Sequence, residues 1–112
     1  MKIGYVRCSS TTQNPERQEV LMERLGVDKV YVDMCSGKNM QRPQLQSMLD
    51  FMREGDTIIV ESFSRLARST KDLLEITDIM TAKGVEFISQ KETIDTKTPA
   101  GRMLLTILAS IS

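Results

Sequence analysis

Histidine is absent from this chain of 112 residues, and its two cysteines, Cys8 and Cys35, form neither a CxxC pair nor a metal spacing. The commonest metal ligand and the usual general base are therefore missing together, which excludes zinc sites and Ser-His-Asp triads. A charge surplus is missing too: fifteen basic residues balance fifteen acidic ones. Net charge alone thus gives no sign of a nucleic-acid partner. No apolar run approaches membrane-spanning length, and the start, Met1-Lys2-Ile3-Gly4-Tyr5, lacks the apolar stretch of a signal peptide. These absences predict a cytoplasmic protein with free thiols and no membrane contact. Neither a Walker loop nor a GxGxxG motif occurs, so no nucleotide cofactor is expected, and no cofactor of any other kind. Internal repeats, linkers and low-complexity segments are lacking as well.

What is present is a strand-loop-helix rhythm in a chain long enough for one core, at 12.7 kDa. Ile3 to Arg7 reads as a strand of β-branched and aromatic residues running out into the hydroxyl-rich segment Cys8 to Asn14. Asn14-Pro15 looks like a helix cap with proline in the first turn, followed by an apolar face of Val20, Leu21 and Leu25 and a stop at Gly26. Lys29 to Asp33 is a second strand with a polar exit from Met34 to Arg42. Pro43 opens a helix whose core side is Leu45, Met48, Leu49 and Met52, closed by Gly55. The continuous apolar run Thr57 to Val60 predicts the sheet centre. After the loop Glu61 to Arg68, Ser69 to Asp72 matches a capping box ahead of Leu73, Ile76, Ile79 and Met80, with Gly84 ending the helix and Val85 to Ile88 a fourth strand.

Repeated βα units with short connections imply a three-layer α/β/α sandwich around a mainly parallel sheet of four to five strands. Beyond Ser89 the chain is polar until Thr98-Pro99, another cap and first-turn proline. Met103, Leu104, Ile107, Leu108 and Ile111 then recur at helical spacing. This divides the chain into an α/β domain over 1–98 and the start of a long helix over 99–112. The last helix has no closing signal, so the natural protein is expected to continue. Its apolar stripe suits either a subunit interface or packing on its own sheet.

The carboxyl edge of a parallel sheet is where sites form. Three strand exits deliver arginine there: Arg7, then Arg42, then Arg65 with Arg68. Guanidiniums converging beside a serine suit phosphoryl transfer, whose transition state spreads charge over oxygens that planar forks can contact in pairs. Solvated surface arginines and ordinary turn or cap hydroxyls are the bland readings of the same residues. From the residues alone, Ser9 and Ser10 are equal choices for a nucleophile.

In order along the chain stand Tyr5-x-Arg7-x-Ser9, Asp33 with Ser36-Gly37 and Arg42, Gly55-Asp56, Ser64-Arg65-Leu66-x-Arg68, and Gly101-Arg102-Met103. Over essentially its whole length this pattern resembles the catalytic domain of the serine recombinases, the resolvase/invertase family. The resemblance implies a site-specific DNA recombinase in which serine attacks a phosphodiester, forms a 5′-phosphoserine link and releases a 3′ hydroxyl. The hydroxyl later attacks that link to reseal DNA after subunit rotation, so neither ATP nor metal is needed. It implies DNA as partner, a homodimer and a synaptic homotetramer, and resolution, inversion, integration or transposition as the outcome.

By the same resemblance Ser9 is the nucleophile, Arg7, Arg65 and Arg68 hold and polarise the scissile phosphate, and Arg42 supports them. Asp33 corresponds to the site carboxylate, either moving a proton or only orienting the loop by a hydrogen bond to an arginine. Gln18 faces the pocket, Tyr5 packs behind the loop, and Ser36 supports. Two residues depart from the usual pattern: Cys8 stands where valine is common, and Ser64 where many relatives carry aspartate, which leaves the general acid open. The resemblance also places further active-site residues and a DNA-binding domain beyond residue 112, so these residues alone are expected to cut poorly and to show little specific DNA affinity.

Two other classes fit parts of the sequence. A cysteine phosphatase would use Cys35 and Arg42, whose separation is one residue too long for that signature loop. A flavodoxin-like binding or signalling module would use Asp33 as a phosphoacceptor, and leaves the arginines at three loops without a purpose.

Overall fold

The computed structural model describes residues 1–8, 16–34 and 42–110, without the side chains of Leu108 and Ala109. Five strands form one sheet in the order β2-β1-β3-β4-β5. β1 (Lys2–Cys8), β2 (Lys29–Met34), β3 (Thr57–Val60) and β4 (Glu86–Ser89) are parallel, and β5 (Ile94–Asp95) joins β4 antiparallel. α1 (Glu16–Arg24), α2 (Pro43–Phe51) and α4 (Thr70–Ala82) make the crossovers, a single turn α3 (Phe63–Leu66) follows β3, and α5 (Pro99–Ser110) ends the chain. The predicted mainly parallel sandwich and the central place of Thr57 to Val60 agree with this arrangement.

Strand alternation divides the interior in two. Ile3 and Tyr5 of β1, Tyr31 of β2, Ile58 and Val60 of β3 and Phe87 of β4 meet α2 and α4 in the larger core cluster. The opposite face offers Val6, Cys8 and Ile59 to Met22 of α1. β3 is buried at every position, as a central strand covered on both faces requires. Burying a side chain such as Ile58 or Val60 contributes about 1.5–3 kcal/mol. Gly4 permits close approach of α1, because a Cβ there would lie 2.9 Å from Met22 Sδ.

The helices obey their predicted caps more closely than their predicted faces. Ser69 Oγ accepts from the Asp72 amide at 3.1 Å, and Thr98 Oγ1 accepts from the Gly101 amide at 3.0 Å. The expected face of α1 needs correcting: Val20 is 43% exposed, and Gln18 and Met22, one turn apart, are the buried pair. Ile79 is likewise 41% exposed, because the buried stripe of α4 runs through Leu73, Ile76, Thr77 and Met80. In α5 Leu105 enters the core while Met103, Leu104 and Ile107 face solvent. The expected cap at Asn14-Pro15 lies outside the described residues.

α5 leaves the sheet under a tight constraint. A Cβ on Gly101 would come within 2.0 Å of the Asp95 carbonyl oxygen, so only glycine lets the helix cross β5 this closely. Thr98 adds a second tie, its hydroxyl donating to the same Asp95 carbonyl at 2.9 Å.

Candidate active site

The parallel strands bring their exits to one edge. Adjacent β1 and β3 place Arg7 beside the segment Glu61 to Leu66. The Arg7 guanidinium donates to the Ser64 carbonyl, and Arg65 Nη1 donates back to the Arg7 carbonyl at 3.3 Å. Arg65 thus fixes the backbone of Arg7, 58 residues away in sequence, and Arg7 fixes that of Ser64, the residue before Arg65. Both groups are half-buried at the rim of the sheet. Arg65 also lies 3.8 Å from the Glu61 carboxylate, which Arg17 of α1 grips with two bonds of 2.7 and 3.1 Å.

Gln18 reaches this corner from α1. It is 1% exposed, and its Nε2 donates to Cys8 Sγ at 3.0 Å and to the Arg7 carbonyl at 3.4 Å. Its Oε1 is a buried acceptor with no hydrogen-bond partner among the described residues. Cys8 packs with Val6, Met22 and Ile59 as a small apolar side chain, and burial pushes its thiol pKa up. That is the opposite of an activated cysteine.

Asp33 and Tyr5 form a second group behind the first. The Asp33 carboxylate, 3% exposed, accepts from the Tyr5 hydroxyl at 2.7 Å and from the amides of Gln44 at 3.0 Å and Leu45 at 2.9 Å. These amides open α2, whose preceding residue Arg42 supplies no side-chain cap. A carboxylate from the next-door strand therefore caps the helix, with the dipole in its favour. The orienting partner of Asp33 is a tyrosine and a helix end, where an arginine was one expectation.

Arg42 and Arg68 meet elsewhere, around Asp72. Arg42 donates to the Leu66 carbonyl at 2.9 Å and forks onto Asp72, with Nη1 2.9 Å from Oδ2 and Nη2 3.1 Å from Oδ1. Arg68 gives Asp72 its amide at 2.9 Å, with its guanidinium Nε 4.0 Å away. Burial raises the Asp72 pKa, but the bonds from Arg42 and from the Arg68 amide, with both guanidinium charges, outweigh it and hold the carboxyl below its ordinary range. Arg42 so ties the end of α3 to the start of α4, while Arg68 keeps 44% of its side chain in solvent. Beside it an open depression is lined by Phe63, Ser64, Ala67, Arg68, Ser69 and Thr70.

Of the residues singled out from sequence, Arg7, Gln18, Ser64 and Arg65 are brought together at the β1/β3 corner. Tyr5 and Asp33 pair behind it, and Arg42 and Arg68 join through Asp72. Ser64 Oγ lies 2.9 Å from Ser62 Oγ. Ser9, Ser10, Ser36 and Cys35 lie outside the described residues. Sequence reasoning passed over Asp72 and Arg17 as partners; the capping box at Ser69 was the one signal pointing to Asp72.

Fold and edge together define a mostly parallel α/β domain that concentrates arginines at the carboxyl ends of its central strands. The chain belongs to the resolvase family, its residues 2–112 matching the resolvase N-terminal domain. It is 42% identical over 114 residues to the transposon Tn501 resolvase of Pseudomonas aeruginosa, covering 99% of this chain and 60% of that protein. Identity to a DNA-invertase of Escherichia phage P1 is 35% over 112 residues, covering 100% of this chain and 60% of the relative. The chain thus spans about three fifths of the length of these relatives. Among solved structures, the N-terminal catalytic domain of TP901-1 integrase superposes with a TM-score of 0.76 at 32% identity, over 99% of this chain and 93% of that one. A resolvase family site-specific recombinase from Streptococcus pneumoniae gives 0.77 at 27% identity, over 99% and 87%. No helix among the described residues is long and apolar enough to cross a membrane.

Proposed function

We propose that this chain is the catalytic domain of a site-specific DNA recombinase that cuts and rejoins DNA through a serine. The observation that carries the reading is the pair of bonds at the carboxyl edge of β1 and β3, Arg7 to the Ser64 carbonyl and Arg65 to the Arg7 carbonyl, with Ser9 two residues beyond Arg7 in the chain. Both guanidiniums bond backbone carbonyls, which position them, and the Glu61 carboxylate beside Arg65 is shared with Arg17. Such preorganised cations suit the charge that builds on phosphate oxygens in the transition state.

In this mechanism Ser9 Oγ attacks the scissile phosphorus. The Oγ–P bond forms as P–O3′ breaks, leaving a 5′-phosphoserine and a free 3′ hydroxyl. Arg7 and Arg65 contact the non-bridging oxygens, and Arg68, held at α4 by Asp72, supplies the third cation. Arg42 acts on the phosphate only through α3 and α4. Religation reverses the exchange, so phosphodiester energy is retained in the serine ester. With both oxygens of Asp33 taken by three donors, its role is to seat α2 behind the site. The same saturation argues against Asp33 as a phosphoacceptor. DNA contact, a homodimer and a synaptic tetramer complete the reading, and an intracellular, cytoplasmic setting goes with it.

The test is covalent trapping with the full-length protein on its DNA site, read on a denaturing gel. Wild type gives a protein-DNA adduct, Ser10→Ala retains it, and Ser9→Ala abolishes it. An adduct that survives Ser9→Ala moves the nucleophile to another residue, and no adduct in any lane under synaptic conditions removes the catalytic reading.

A further inference from the structure

We infer that Glu92 is a positioning residue for the arginine pair, holding α3 in register from the far side of β3; this rests on the recombinase reading for its purpose. Glu92 lies in the turn between β4 and β5, remote in sequence from the residues of the candidate site. Its Oε1 accepts from the Phe63 amide, the first residue of α3, at 3.2 Å, and from the hydroxyl of Ser89, which is fully buried. The same turn bonds the exit of β3 twice more, the Gln90 amide giving to the Val60 carbonyl at 3.1 Å and the Lys91 amide to the Glu61 carbonyl at 2.8 Å.

The clasp matters because of what α3 carries. Ser64 offers the carbonyl that holds the Arg7 guanidinium, and Arg65 reaches back to the Arg7 carbonyl. A single turn of helix cannot hold its own place: it has too few internal bonds, and α3 has no side-chain cap of its own at Ser62. Phe63 stacks on Phe87 at 5.9 Å between ring centroids, which anchors one side chain, but a ring contact tolerates sliding along its plane. The Glu92 carboxylate fixes the backbone itself. Buried Leu66 and the Arg42 bond hold the last residue of α3, and Glu92 holds its first; displacing that first residue would move Arg65 and the acceptor of Arg7 together.

Backbone conformation supports this reading. Thr93, next to Glu92, has φ of 55°, the left-handed region that a β-branched residue rarely adopts. Its amide closes onto the Gln90 carbonyl at 3.2 Å, so the turn is wound tightly enough to direct Glu92 back over β3. Such conformations persist where surrounding structure over-determines them.

The experiment has two arms. In this chain of 112 residues, amide hydrogen exchange compares wild type, Glu92→Ala and Glu92→Gln. Glu92→Ala lowers protection of the Phe63 amide about tenfold, as loss of one charge-assisted bond implies, while Ile58 and Ile59 are unchanged and Glu92→Gln, whose amide oxygen still accepts, restores most of it. In the full-length protein, Glu92→Ala slows adduct formation about 100-fold at unchanged DNA affinity, since misplacement by about 1 Å can have that effect, and Glu92→Gln recovers most of the rate. Phe63 protection unmoved by Glu92→Ala overturns the inference, as does unchanged cleavage in a variant whose Phe63 protection has fallen. A wild type that forms no adduct defeats the recombinase reading instead, and the exchange arm still decides whether Glu92 seats α3.

Discussion

Replacing Asp33 separates a structural carboxylate from a chemical one. Three donors converge on it, and a hydrogen bond to an ionised group contributes about 1.5–3 kcal/mol. Asp33→Ala removes the carboxylate acceptor of the Tyr5 hydroxyl and of the Gln44 and Leu45 amides, and because the bonds act as one group we expect a loss of about 4 kcal/mol rather than their sum. Against a typical stability of about 5–15 kcal/mol that leaves a marginal domain. Asp33→Asn is the milder probe. Either orientation of its amide turns an NH2 toward at least one of the donors, which costs about 2 kcal/mol and lowers the urea midpoint by about 1 M. Tyr5→Phe alone costs about 1 kcal/mol, and the Tyr5→Phe/Asp33→Asn double variant falls short of additivity by a similar amount. Urea unfolding followed by far-ultraviolet circular dichroism measures all four. If Asp33→Asn leaves the midpoint in place yet abolishes adduct formation, the carboxylate takes part in proton transfer and our structural assignment is wrong.

Arg42→Ala should destabilise the fold by about 3 kcal/mol, because it strands the partly buried Asp72 charge. Arg42→Lys should recover little of it, since an ammonium cannot fork onto Asp72 while bonding the Leu66 carbonyl; thermal melts of the two variants check this. Asp72 also shapes acid stability. Its folded-state pKa lies below the ordinary value of 3.8, so its contribution is complete above that pH and disappears as pH falls through the folded-state value. Asp72→Asn should therefore flatten the acid limb of a stability profile taken between neutral pH and pH 2, approximately, and leave its alkaline side alone. Thr93→Asn, which suits positive φ, should raise stability by about 1 kcal/mol in the same melts, and a loss instead would show that the threonine is not strained.

The strands were legible because β-branched runs such as Thr57 to Val60 carry burial in their composition, and two helix starts were legible because a cap is a local code: Ser69 and Thr98 do what their neighbours announce. What stayed hidden was non-local. α3 is one turn with no apolar period to read, and β5 is two residues that pair only because β4 lies beside them. The cap of α2 comes from Asp33, eleven residues before Gln44, so no spacing rule exposes it. Val20 and Ile79 misled for a related reason: each is apolar and near the right period, yet neighbouring residues already filled the contact with the sheet. At the site, the arginines could be listed from sequence. Their division into a β1/β3 pair and an Asp72-centred pair depended on which loops the sheet order made adjacent.

The pinch of Gly101 against Asp95 makes α5 a lever with a stiff hinge. The nine residues beyond Gly101, at about 1.5 Å each, reach about 14 Å from that fulcrum, so a tilt of about 10° there would sweep the far end by about 2 Å. With a side chain excluded at Gly101 by the Asp95 carbonyl, and two Thr98 bonds bracing the base, such a tilt would have to break contacts with β5. The exposed Met103, Leu104 and Ile107 therefore sit on a helix whose base is tied to β5, so a contact made with them bears on that strand through the Thr98 and Gly101 contacts.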